Sequence, residues 1–254
     1  MSGIAVVVLA AGKGKRIGDA GLPKVLLPLK GRPLLSYVLA AVLPLQPQRL
    51  VVVVGFRGEE VAAFLQQHCP QAEVVWQSEQ LGTGHAVLQT RGVLEGFTGT
   101  VVILPGDVPL VQYETLRVFV DFHLRVGNAV TVLTTQVPQP TGYGRILRDV
   151  TGRIVRIVEE RDATPQEREI REVNTGIIAA QAPMLFRLLP RLSRQNAQQE
   201  YYLTDIVALC RDEEQPVGAW CAPRWQEFQG INTLAELAYA EELLESHYQE
   251  QPAA

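Results

Sequence analysis

A run with no polar interruption, Ile4-Ala-Val-Val-Val-Leu9, leads straight into a glycine-rich basic stretch, Ala10–Leu22. No other feature of the chain narrows its fold as much. A strand with one wet face alternates apolar and polar residues. A strand that is apolar throughout needs cover on both faces, as a parallel strand between two helix layers has. The pattern returns at Leu50–Val54 and Thr100–Leu104, with a shorter strand at Glu73–Gln77 and another at Asn128–Val137. Helical spacing fills the intervals at Pro33–Leu43 (proline in the first turn), Glu59–His68 and Tyr113–Val126. This order predicts an α/β fold with a parallel sheet, helices on both faces and ligands at the carboxyl ends of strands.

The second half changes rhythm. Tyr143–Arg148 and Arg153–Glu159 flank Asp149-Val-Thr-Gly152 as a hairpin would. A strand is predicted at Glu172–Ala180, helices at about 183–192 and 205–213, and a strand at Val217–Ala222. Leu234–Gln251 reads as a terminal helix; its acids include Glu236 and Glu250, and it has no Lys or Arg. No repeat or low-complexity linker parts the halves, so one unit with a cleft between two lobes is expected.

At 254 residues, folding buries roughly 70–75% of the extended-chain surface. A 47% hydrophobic content with 20% charged residues excludes a disordered or collagen-like chain. No apolar run reaches membrane-spanning length, and the basic cluster follows the first apolar run, the reverse of a secretory signal. Cys69, Cys210 and Cys221 are scattered and the four histidines widely spaced. Neither a disulfide framework nor a zinc site is expected, and a reducing cytoplasm is. The net charge of −4 argues against nucleic acid. Residues 1–32, however, hold six basic residues against Asp19. A small polyanionic ligand accounts for this, and so does a solvated charged face.

Three motifs carry chemistry. Gly12-Lys-Gly-Lys-Arg16 follows a strand but lacks the third glycine of a dinucleotide fingerprint, Ile17 standing there, and it is no ATPase loop. It is either a phosphate-wrapping loop, with Lys24 beyond Pro23 as a further cation, or a surface loop. Asp107, in Leu104-Pro-Gly-Asp107-Val-Pro, suits Mg²⁺ at the sheet's ligand edge or is a turn aspartate bonding its own backbone. Leu81-Gly-Thr-Gly-His85 either lies against a planar base, with Gln77 reading its edge, or simply opens a helix. His85 is expected to pack or cap locally. No nucleophile–base arrangement has a recognisable spacing.

Leu9-Ala-Ala-Gly12-Lys-Gly, Arg16 and Leu22-Pro-Lys24-Val-Leu resemble the signature of the sugar-1-phosphate nucleotidylyltransferases. The closer similarity is to the pyrophosphorylase domain of the bacterial bifunctional enzymes of UDP-N-acetylglucosamine synthesis. It runs on through Gln80–Ala86, Gly106–Leu110, Pro140–Arg145, Ile157–Glu159 with Asp162–Thr164, Val173–Ile177, Asn196–Gln198, Glu200–Asp205 and Gly230–Asn232. The resemblance implies a Rossmann-like mixed, mostly parallel sheet with a sugar-binding lobe, and no left-handed β-helix domain. Residues 1–110 would be mainly the nucleotide lobe, 111–230 mainly the sugar lobe, and 231–254 the terminal helix.

It also implies uridylyl transfer from UTP to N-acetylglucosamine 1-phosphate. Leu9, Ala10, Ala11, Gly12 and Gly106 would wrap the nucleotide, and Gln77, Gly82 and Thr83 would read uracil. Gly144, Glu159, Asn174 and Asn232 would hold the sugar. Asp107 and Asn232 would bind Mg²⁺, while Arg16 and Lys24 met the phosphates. Alternatives are another sugar phosphate such as glucose 1-phosphate, or a non-catalytic nucleotide-sugar sensor. A molybdopterin nucleotidylyltransferase begins with a similar loop, but the Asn174 and Asn232 segments argue against it. Lys15, where the family usually has Thr or Ser, and Pro105 depart from the pattern. With no hexapeptide period after the domain, acetyltransfer is expected to be absent, and a monomer or weak oligomer is expected. Either a stand-alone enzyme or a truncated chain accounts for this.

Overall fold

The computed structural model describes residues 3–14 and 21–250, the last five of these by backbone alone. In chain order the strands are β1 (Ile4–Ala10), β2 (Pro28–Leu29), β3 (Arg32–Pro33), β4 (Arg49–Val54), β5 (Glu73–Trp76), β6 (Thr100–Pro105) and β7 (Val130–Gln136). They continue with β8 (Arg145–Arg148), β9 (Ile154–Val158), β10 (Glu172–Gln181) and β11 (Val217–Ala222). The helices are α1 (Leu34–Val42), α2 (Gly58–His68), α3 (Thr83–Leu88), α4 (Tyr113–Val126), α5 (Pro165–Arg168), α6 (Ala182–Leu188), α7 (Ile206–Asp212) and α8 (Leu234–Glu250).

The main sheet runs β11-β7-β10-β6-β1-β4-β5, with β8 added to β10 and β9 to β8. β5, β4, β1 and β6 are parallel neighbours, and β11 is parallel to β7. β10 alone on that path runs the other way, antiparallel to both β6 and β7. The sheet is thus mixed and mostly parallel, as the resemblance implied, and the one reversed strand on that path has a topological reason. Parallel neighbours need a crossover, usually helical; between β7 and β10 the chain makes the β8–β9 hairpin and the single turn α5, then returns.

Alternation explains the unbroken apolar runs. Val7, Val51, Val53, Val101 and Ile103 belong to one core. Their neighbours Val6, Val8, Val52, Val54, Val102 and Leu104 belong to the opposite one. The first core is closed by α3, α6 and α7, through Val87, Leu185 and Val207. The second is closed by α1, α2 and α4, through Val38, Leu65 and Phe119. Each such aliphatic side chain, fully buried, contributes about 1.5–3 kcal/mol. A third cluster seats α8, with Leu237, Ala240, Leu243 and Leu244 against Leu27, Leu29, Leu34 and Leu110. β5 is an edge strand, half-buried, with Trp76 exposed. Pro33 lies just before α1 rather than in its first turn. Cys69, Cys210 and Cys221 are all free thiols. Among the described residues, no helix is long and apolar enough to cross a membrane.

Candidate active site

The carboxyl ends of β1 and β6 lie side by side, since Leu9 pairs with Pro105. The end of β1 and the first residues after it are tied to their neighbours: Gly106 N–H donates to Leu9 O (2.9 Å) and Phe56 N–H to Ala11 O (3.3 Å). Gly14, at φ +60°, lies against Lys24, where an added Cβ would stand 3.0 Å from the Lys24 Cβ. Lys24 Nζ donates to Asp107 Oδ2 and to Asn232 Oδ1, the latter at 2.7 Å. Three segments far apart in sequence thus meet at one ammonium. Asn232 is held in turn: its Nδ2 donates to Gly230 O (3.3 Å), and the neighbouring Ile231 N–H donates to Asp107 O (3.0 Å). Two hard oxygens converging on one cation are a fitting donor set for Mg²⁺, which takes few protein oxygens and completes its shell with phosphate and water. Among the described residues no cluster of three His, Cys, Asp or Glu side chains could form an all-protein cage.

The second wall starts at the end of β5. The Gln77 side chain is buried and its Nε2 donates to Gly82 O (3.0 Å) and faces His85 Nδ1 (3.0 Å). His85 is therefore occupied locally, as expected, and its other nitrogen faces the Gln89 amide. Gly82 has φ +112°, and a Cβ there would stand 2.6 Å from Tyr201 O. Only glycine fits. Thr83 Oγ1 accepts from Leu203 N–H (3.0 Å), so that hydroxyl ties α3 to the 200–203 segment.

The third wall belongs to the hairpin and β10. The β7–β10 register slips between Asn174 and Ile178, and Gly176, at φ +81°, lies where a Cβ would be 2.9 Å from Pro105. This irregularity turns Asn174 toward the cleft, its N–H donating to Gly144 O (2.8 Å). A Cβ on Gly144 would be 3.4 Å from both Glu159 carboxylate oxygens. Glu159 Oε1 accepts from Thr204 Oγ1 (2.9 Å). Burial pushes the Glu159 carboxyl above its ordinary range, against the Thr204 hydrogen bond and with help from nearby Asp205 and Asp162. Burial, with Glu236 adding its charge, likewise raises the Tyr143 phenol. Asp162 pins the opposite rim, accepting from Ala197 N–H (2.8 Å) and Tyr202 OH (3.1 Å).

These walls enclose one cleft of about 960 Å³. Leu9, Ala10, Ala11, Gly12, Lys24, Gln77, Gly82, Thr83, Asp107, Gly144, Glu159, Asn174 and Asn232 all line it. Gly106 is buried behind the wall, bonded to Leu9. Arg16 and Lys15 lie outside the described residues. Sequence reasoning overlooked Arg145, a fully buried guanidinium that pairs with Glu160 (2.8 Å) and donates to Tyr143 O, bracing the turn that carries Gly144 into β8. An arginine opening an apolar strand was the available signal. Thr204 and Glu236 were missed as well; the spacing Thr233-x-x-Glu236, a capping-box pattern, pointed to the second.

Residues 6–173 match the family described as the MobA-like NTP transferase domain. A bifunctional protein GlmU of Thermobifida fusca (strain YX) is 47% identical over 251 residues, covering 97% of this chain and 52% of its own length. Proteins of the same name from Cyanothece sp. (strain PCC 7425 / ATCC 29141) and Geobacter metallireducens (strain ATCC 53774 / DSM 7210 / GS-15) are 43% and 46% identical, over 99% and 94% of this chain. These alignments cover 54% and 50% of the two relatives. The chain thus spans about half the length of the curated relatives it matches. A match of that extent, seated on this sheet, makes the chain a member of the MobA-like NTP transferase domain family.

Proposed function

We propose that this domain transfers a uridylyl group from UTP to N-acetyl-α-D-glucosamine 1-phosphate, giving UDP-N-acetylglucosamine and pyrophosphate. One observation carries the reading. A single cleft joins the place where Lys24 meets Asp107 and Asn232, with Lys13 also on the lining, to a wall of carboxylate, amide and bare backbone (Glu159, Asn174, Gly144). The similarity to proteins named GlmU over nearly the whole chain supports it.

The chemistry needs little from the protein beyond placement. A phosphate oxygen of the sugar phosphate attacks the α-phosphorus of UTP; the bond from that phosphorus to the α,β-bridging oxygen breaks, and pyrophosphate leaves. The nucleophile is already an anion, so no protein base removes a proton. Catalysis is positioning and charge neutralisation. Lys24 and Lys13, which both line the cleft, would offset the repulsion between the two anions. Asp107 and Asn232 are the residues that would hold Mg²⁺, and when bound the ion supplies further neutralisation of phosphate charge. Gln77 commits its amide nitrogen to Gly82 and His85, leaving its carbonyl oxygen as the group to meet a base. An acceptor suits the N3–H of uracil and not the bare N3 of cytosine. Glu159 would accept from sugar hydroxyls or the N-acetyl amide, and Asn174, whose Oδ1 already accepts from Gly176 N–H (3.0 Å), would offer its Nδ2 as a donor.

The test is Mg²⁺-dependent pyrophosphate release from UTP with N-acetylglucosamine 1-phosphate, run beside glucose 1-phosphate. Preference for the first supports the proposal. Preference for the second keeps the chemistry and overturns the sugar, and binding of UTP without turnover on either makes the domain a sensor. Asp107→Asn is expected to lower kcat by about 100-fold or more with little change in Tm. Wild-type turnover of that variant at saturating Mg²⁺ would remove Asp107 from the metal site.

A further inference from the structure

We infer that Glu236, on the first turn of α8, is a positioning residue that sets Asn232 for cation binding. The inference rests on the reading of Asp107 and Asn232 as the cation's protein ligands. Asn232 stands two residues before α8 begins, on a segment with no strand or helix to define its backbone. An amide ligand is useful only if its oxygen is placed within a few tenths of an ångström, and a free loop does not do that. Three bonds supply the constraint. Ile231 N–H donates to Asp107 O (3.0 Å), which ties the segment to the other ligand's backbone. Asn232 Nδ2 donates to Gly230 O (3.3 Å), so the amide is turned with Oδ1 toward Lys24, the ammonium that Asp107 also bonds. The shortest is the third, from Asn232 N–H to Glu236 Oε2 (2.6 Å).

That third bond differs from an ordinary helix cap. In a capping box the glutamate reaches back to the N–H of the capping residue itself. Here Thr233 Oγ1 accepts from Glu236 N–H (3.2 Å) and donates to the same Glu236 Oε2 (3.1 Å), while the carboxylate bonds the N–H one residue earlier, that of Asn232. The carboxylate therefore grips the ligand residue, not merely the helix end. A charge-assisted bond of this kind is about twice as strong as a neutral one. The helix itself is anchored independently, by Leu237, Ala240, Leu243 and Leu244 on the third core cluster, so Glu236 acts from a fixed helix.

Three variants separate positioning from capping. Glu236→Ala removes the grip on Asn232, Glu236→Gln keeps an acceptor oxygen, and Thr233→Ala weakens the helix start while leaving the carboxylate. Two readouts are taken for each. One is the Mg²⁺ half-saturation of pyrophosphate release at saturating UTP and sugar phosphate. The other is Mn²⁺ binding, by water-proton relaxation, to the intact protein with UTP present and no acceptor. Glu236→Ala is expected to weaken both by about 10-fold or more, the range for residues that orient metal ligands, with Glu236→Gln restoring most of it. Thr233→Ala is expected to lower Tm and leave metal affinity within twofold. The inference is overturned if Glu236→Ala weakens metal binding no more than Thr233→Ala does, or if wild-type protein adds nothing to the Mn²⁺ binding of UTP alone. If the wild-type protein transfers no uridylyl group yet Mn²⁺ binding still depends on Glu236, the activity assignment falls and the positioning role stands.

Discussion

Glu159 keeps a carboxylate where its surroundings resist charge. Its carboxyl is raised above the ordinary 4.5 chiefly by burial. The folded protein then holds that proton more tightly than the unfolded chain does. This residue's contribution to stability is complete below the unfolded value and is lost as pH rises through the raised folded one. Glu159→Gln is expected to remove that slope, making the protein relatively more stable at pH 8 than at pH 4, as urea melts at the two pH values would read. The same variant should raise the sugar-phosphate KM with a smaller effect on the UTP KM, since Gly144 and Asn174 share its wall. A Glu159→Gln protein with unchanged sugar-phosphate KM would take Glu159 out of the sugar site. Residues of this kind were legible when their type was unusual for their place: a lysine after Pro23, an aspartate ending a buried strand, a glycine before a helix. Glu236 and Arg145 were not read, because their roles depend on partners distant in sequence or on a one-residue offset. An arginine in a hairpin looks like solvated surface until the fold buries it, and the capping-box spacing of Glu236 points to the helix end rather than to Asn232.

Elements were legible where the apolar period was strong. α4 matches its expected bounds, from Tyr113 to Val126, because its buried stripe is regular and Gly127, at φ +73°, stops it. α5 went unread: it is one turn long, held by a capping box between Thr164 and Glu167, too short for any period to show. The α4–β7 contact has its own acid limit. His123, buried against Thr131 at 2.7 Å, has its pKa lowered by burial to about 4. Its unfolded value is the ordinary 6.5, so the unfolded chain takes up the proton first. Stability is lost as pH falls from 6.5 toward 4, by about 3 kcal/mol across the window. His123→Gln is expected to flatten that part of the stability-pH curve in denaturant melts between pH 7 and pH 4. An unchanged slope would place the acid sensitivity elsewhere.

At the scale of the molecule, the layers and the position of the cleft followed from the order of elements and from which strands were wholly apolar. The direction of β10 did not. Its apolar pattern is the same whether it runs parallel or antiparallel, and only the absence of a crossover helix decides. Being hydrogen-bonded to β6, β7 and β8, it belongs to both halves of the sheet. Unfolding in urea should therefore be one transition, with far-UV circular dichroism and the fluorescence of Trp76, Trp220 and Trp225 coinciding. Two separated transitions would mean that the halves are held together only by the cleft.

That same strand governs timing. Among the described residues β7 pairs only with β10 and β11, both of which follow it in the chain. On a ribosome, β1, β4, β5 and β6 can pair as soon as they emerge, whereas β7 must wait until residues 172–181 have been made. It stays an apolar segment without a strand partner meanwhile, and long-range pairings of this kind are the slow and aggregation-exposed steps of folding. The irregular strand that aims Asn174 into the cleft is thus also the last piece the sheet needs before its far side can form.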